Sequence, residues 1–222
     1  ESANLEVSHA GNLSADWKRD GWSIRGALAA APSRPINASA PSRPRLALVL
    51  PFIDSQVANK LRPTVERWQD QKYRPCDPDA GPLPATAYFY HPGNSTTRRS
   101  EIDSLWKSSG GAVVSCFGGG MRLLHARLPS RVANTHPDGP CAQFYALFGA
   151  LEGLADYAFI MEPDALPIRA GWLNKLVQET AAPPCHEFWL KGSMPRCKSE
   201  YGAIKQRGDM HINGNALLCL GD

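Results

Sequence analysis

The sequence predicts an α/β domain built as a three-layer sandwich, with a mostly parallel central sheet and helices on both faces. Three observations predict it. From residue 45 onward, short apolar runs take turns with stretches of helical spacing. The runs are continuously apolar rather than alternating, as strands covered on both faces must be. Glycine, proline and polar clusters punctuate the boundaries.

Residues 1–44 stand apart. They are rich in Ala, Ser, Pro and Asn, and Ser-Arg-Pro recurs in APSRPINASAPSRP, which is the composition of a linker or stem. Residues 45–222 form the expected domain. LALVLPFID reads as a buried strand ending at Asp54, and Val57, Leu61, Val65 and Trp68 then keep helical spacing, with Pro63 either interrupting that helix or marking its start. A loop rich in Pro, Gly and Asp leads to a second strand, Ala85 to His91, and a second helix, Arg98 to Ser108. AVVSCF, Ala112 to Phe117, reads as a third strand running into Gly118, Gly119 and Gly120. After an irregular stretch, Pro140 to Leu154 has helical spacing with proline in its first turn. Tyr157 to Met161 is a short buried strand, Arg169 to Thr180 a helix, Phe188 to Ser193 a strand, and His211 to Gly221 a last strand. Right-handed crossovers follow from such an order.

The most informative segment is DYAFIMEPDALPIRAGW, residues 156–172, where an apolar strand breaks into carboxylates on alternate residues, Glu162 and Asp164. In extended backbone, residues two apart project to one side, so both acids are expected to converge on one ion at the carboxyl edge of the sheet. Open α/β sheets bind ligands at that edge. The plainer reading is that both acids are solvated, or cap the helix that follows.

The opening strand ending in LPFID, the helix running into a strand that stops at MEPD, and the later GNA strand together resemble nucleotide-sugar glycosyltransferases of the GT-A fold. The resemblance covers residues 45–222 and implies a Rossmann-like GT-A sandwich, shortened at its carboxyl end relative to a family that continues further. It implies Mn²⁺ or Mg²⁺ against the diphosphate of a donor such as a UDP-sugar, where a hard cation offsets leaving-group charge: Asp164 would ligate it directly, Glu162 through water or else contact the donor ribose or sugar, and His211 would be a metal ligand, a hydroxyl partner or a plain surface histidine. Pro51, Phe52 and Asp54 would cradle the nucleotide, although Asp54 equally fits a helix N-cap. Gly119 and Arg122 would approach the diphosphate, although Gly118–Gly120 also fits a plain turn, and Lys191 would touch donor or acceptor. Trp189, His211, Asn213 and Asn215 would form the acceptor wall, though a tryptophan is as readily core. Asp222 and Asp209 are the candidate bases for an inverting transfer to a glycan or glycoprotein acceptor. Two other functions fit the same residues: a noncatalytic glycan-binding luminal domain, and another nucleotide-utilising enzyme such as a nucleotidyltransferase.

Composition narrows the partners. The chain has 222 residues, 43% hydrophobic and 20% charged, enough for one core, and its net charge of +3 is scattered rather than gathered in a stripe, so nucleic-acid binding is not expected. No run approaches the roughly 18 apolar residues of a membrane span. Any membrane attachment would depend on an anchor outside this chain. The six cysteines lack C-x-x-C spacing and their even number permits disulfides. Asn12, Asn37 and Asn94 begin N-x-S/T sequons. Together they point to the secretory pathway, and with the resemblance to the Golgi lumen and a type II membrane protein. Cys185 and Cys197 are the expected disulfide pair, and Cys116 and Cys219 are expected as buried thiols.

Overall fold

The computed structural model describes residues 44–77, 79, 81–94, 97–133, 135–136, 138–181, 188–192 and 215–220. Among these, one six-stranded sheet has the order β3-β2-β1-β4-β6-β5. Strands β1 (Leu46–Pro51), β2 (Ala85–His91), β3 (Met121–His125) and β4 (Tyr157–Ile160) run parallel. Strand β6 (Ala216–Cys219) pairs antiparallel to β4, and β5 (Leu190–Gly192) antiparallel to β6. The chain steps outward from β1 to β3, then returns to the other side of β1 as β4. That reversal puts a topological switch point between the carboxyl ends of β1 and β4. The architecture is α/β and consistent with a Rossmann-like fold.

Strand β1 is the axis of the core. Leu46, Leu48 and Leu50 face a cluster with Leu61, Val65, Ile102, Leu105 and Leu173, whereas Ala47 and Val49 face Leu147 and Leu151. Leu61 precedes helix α1 (Arg62–Arg67), and the rest of the first set comes from α1, α2 (Thr97–Ser108) and α6 (Trp172–Glu179); the second comes from α5 (Asp138–Leu151). Both faces of the sheet are therefore covered, which is why the strand reads as an unbroken apolar run. Two short helices, α3 (Gly111–Val114) and α4 (Ser130–Ala133), complete the set among the described residues.

Helix α1 is entered through a π-helical turn, Val57–Leu61, and Pro63 lies in its first positions. Proline has no N–H to donate and its ring crowds the carbonyl four residues back, so the chain widens just before it. The apolar positions still reach the core, with Val57, Leu61, Val65 and Trp68 all buried.

The third strand is not AVVSCF. Gly110 takes a left-handed φ of 85°, the amides of Val113 and Val114 bond its carbonyl, and residues 111–114 coil into α3. Cys116 is then tied to Cys76 by a disulfide, so it is not a free thiol. Cys219 is disulfide-bonded as well, which corrects the same expectation for that residue. Cys185 and Cys197 lie outside the described residues. The glycine run precedes a strand instead of following one: Gly118 and Gly119 donate to the carbonyls of Leu83 and Ala85 beside the start of β2. A Cβ would lie 2.7 Å from the Leu83 carbonyl at Gly118 and 1.8 Å from Thr86 Oγ1 at Gly119. Close packing demands these glycines.

Candidate functional site

Three acidic side chains follow the carboxyl ends of β1 and β4, and each is tied to a different neighbour. Asp54, three residues past β1, has Oδ1 3.0 Å from His91 Nε2 and 2.9 Å from Arg98 Nε. Arg98 Nη1 also lies 2.6 Å from Glu101. His91 ends β2 and is buried, and the amide of Gly93 donates to its Nδ1 at 3.1 Å. A nitrogen that accepts carries no proton, so Nε2 bears the hydrogen and donates to Asp54. Burial alone would raise the Asp54 carboxyl, but Arg98 and His91 outweigh it and hold the group below its ordinary value. Arg98 is shifted upward by Glu101 and Asp54 in return.

The two acids after β4 do not converge. The chain leaves the strand and turns at once, with the amide of Ala165 bonded to the carbonyl of Glu162. In a turn, side chains two apart no longer share a side. Glu162 faces β6: its amide donates to Asn215 Oδ1 at 2.9 Å, and Asn215 Nδ2 lies 3.4 Å from its Oε2. Asp164 faces the π turn, and Lys60 Nζ donates to its Oδ2 at 2.7 Å. The hydrogen bond and charge of Lys60 hold Asp164 below the usual carboxylate range.

The Glu162–Asn215 junction stands between two cavities. On the α5 face, about 280 Å³ is lined by Pro51, Phe144, Leu147, Ile160 and Glu162 among others. On the opposite face, about 510 Å³ is lined by residues including Met161, Trp172, Lys175, Gly192 and Asn215. Register explains the grouping: Val49 pairs with Ile160 and Ile160 with Ala216, so Pro51 falls level with Glu162, and Asn215 one residue back, level with Met161.

The other expected residues are distributed unevenly. Phe52 is buried 5.2 Å from the His91 ring and serves the core. Gly119 lies at the amino edge, away from the acids, and exposed Arg122 sits early in edge strand β3, opposite Tyr88. Trp189 is exposed, and its carbonyl takes the amide of Cys219, level with the start of β4. Lys191 pairs with Glu179 at the end of α6 and stands over the Phe188 ring. Asp209, His211, Asn213 and Asp222 lie outside the described residues.

Lys60, His91 and Arg98 escaped the sequence reading. A signal was there for two of them. His91 is the last residue of an expected strand, and Lys60 lies in the first turn after β1, both of which face a sheet's carboxyl edge in doubly wound folds.

The donor chemistry suits a hard divalent ion. Glu162 and Asp164 supply carboxylate oxygens, and Asp164 already holds a cation, the Lys60 ammonium. Among the described residues no group of three or more His, Cys, Asp or Glu could hold a metal, so ligand or water oxygens would fill the rest of such a shell. Among the described residues no helix is long and apolar enough to cross a membrane. Neither a protein-family model nor a curated protein matches the chain.

Proposed function

We propose that this chain is a metal-dependent glycosyltransferase domain of the GT-A type, moving a sugar from a nucleoside-diphosphate donor to a glycan or glycoprotein acceptor in an oxidising, secretory compartment, as in the Golgi lumen. The observation that carries the reading is that the segments holding Asp54 and Glu162–Asp164 follow the carboxyl ends of the neighbouring strands β1 and β4, on either side of the switch point. A diphosphate entering that crevice meets carboxylates on one wall and a lysine on the other. The Cys76–Cys116 disulfide supports the compartment.

In this reading Asp164 would hold Mn²⁺ or Mg²⁺ directly and Glu162, turned toward Asn215, would reach it through water, and the ion would supply charge that stabilises the departing nucleoside diphosphate. Asn215 fixes Glu162 by bonding both its amide and its carboxylate. Asp54, oriented by His91 and Arg98, offers its free oxygen to ribose or base at the rim. Gly119, Arg122, Trp189 and Lys191 have no part in this proposal. Asp209 or Asp222 would take the proton of the acceptor hydroxyl in an inverting transfer, while His211 and Asn213 would border metal and acceptor.

The test is a thermal-shift panel of nucleotide sugars and nucleoside diphosphates with and without Mn²⁺, followed by product analysis. A ligand at 100 times its Kd raises stability by about 2.7 kcal/mol. Asp164→Asn should abolish the Mn²⁺-dependent shift, and turnover should release nucleoside diphosphate. Release of pyrophosphate would favour a nucleotidyltransferase, and glycan binding without donor turnover would favour a noncatalytic module.

A further inference from the structure

Lys60 emerges from the π turn between β1 and α1, and its ammonium crosses the switch-point crevice to Asp164 at 2.7 Å. The lysine side chain is 41% exposed and that of Asp164 52% exposed. An ion pair so open to solvent contributes little to folding, and its members are free to change partners. A π turn inserted into a helix is often found at functional sites, and here it carries this residue.

We propose that Lys60 is an exchangeable cation: it neutralises Asp164 in the ligand-free protein, and binds the donor's diphosphate once Asp164 takes a divalent ion. The inference rests on the reading of the crevice as a nucleoside-diphosphate site. Charge counting supports it. The carboxylates of Glu162 and Asp164 and one divalent ion sum to zero, which leaves the diphosphate's own charge uncompensated. Of the cations near the edge, Arg98 is engaged with Asp54 and Glu101, Lys175 with Gln178 and Lys191 with Glu179, whereas Lys60 is bonded to Asp164 itself. Lysine suits the task because its ammonium swings on a flexible stem and donates in three directions. No atom of the sheet need move for the exchange.

The experiment titrates wild type, K60M and K60R by calorimetry, first with Mn²⁺ alone and then with UDP and GDP at saturating Mn²⁺, with circular dichroism as the check on folding. K60M should bind Mn²⁺ several-fold more tightly, because a competing cation is gone, and should bind the nucleotide about tenfold more weakly. K60R should lie between. A merely structural role would move both affinities the same way. Should K60M fail to fold, K60Q carries the same expectations. Unchanged or weaker Mn²⁺ binding in the variant, or unchanged nucleotide affinity, overturns the exchange alone while the site reading stands. A wild type that binds neither Mn²⁺ nor nucleotide overturns the site reading and the exchange with it.

Discussion

Asn215 grips Glu162 at two points, accepting from its amide at 2.9 Å and reaching its carboxylate at 3.4 Å. This couples the first residue before β6 to the turn that follows β4. Asn215→Ala should cost about 0.5–1.5 kcal/mol in urea denaturation, the net worth of a neutral hydrogen bond. Asn215→Asp sets a second carboxylate against Glu162. Its loss at pH 7 should exceed that of Asn215→Ala, because an acceptor replaces the donor and like charges face each other.

Asp54 gives the edge a pH dependence. Its folded value lies below its ordinary one, so the stabilisation from Arg98 and His91 is present above the unfolded carboxylate range near pH 4 and is lost as pH falls through the folded value. Because the Asp54 side chain is 57% exposed, solvent screening keeps the effect under about 1 kcal/mol. Arg98→Met should flatten the acid limb of the stability profile below about pH 5, measured by denaturation across pH.

The glycine run should act on stability and leave binding alone. Gly118→Ala drives a methyl toward the backbone carbonyl of Leu83, which cannot swing aside. A loss of about 1–3 kcal/mol is expected, with unchanged nucleotide affinity per folded molecule. Gly119→Ala meets chiefly the Thr86 side chain, so Thr86→Ala in the same chain should restore part of the loss.

The Cys76–Cys116 bridge closes a loop over a sequence separation of 40. In the chain-entropy description such a loop contributes roughly 4 kcal/mol. The double variant C76A/C116A, or reduction under mild denaturant, should lower the unfolding midpoint accordingly. A midpoint unchanged by reduction would contradict the bridge.

The central strands were legible because burial on both faces writes itself into the sequence as an apolar run. LALVLP, ATAYFYH and YAFI are strands β1, β2 and β4, and their parallel order follows from the helices between them. The edge was harder to read. MRLLH is only partly buried and carries an exposed arginine, while AVVSCF has strand composition but is bent into a helical turn by Gly110 and bound down at Cys116. Glu162 and Asp164 were expected just beyond the carboxyl end of a buried strand, and they follow β4. Their divergence was not, because the strand's two-residue period ends at Ile160 and the turn after it obeys different geometry. Lys60 meets Asp164 across 104 positions of sequence, a distance over which no local pattern reports.

The antiparallel end of the sheet has its own consequence for how the molecule can diversify. Gly192 and Ala216 are register partners, so β5 ends and β6 begins at the same rim, beside Glu162. The covalent connection between them therefore leaves and rejoins the sheet at its carboxyl rim, so its length is not fixed by the pairing of β5 with β6 or of β6 with β4.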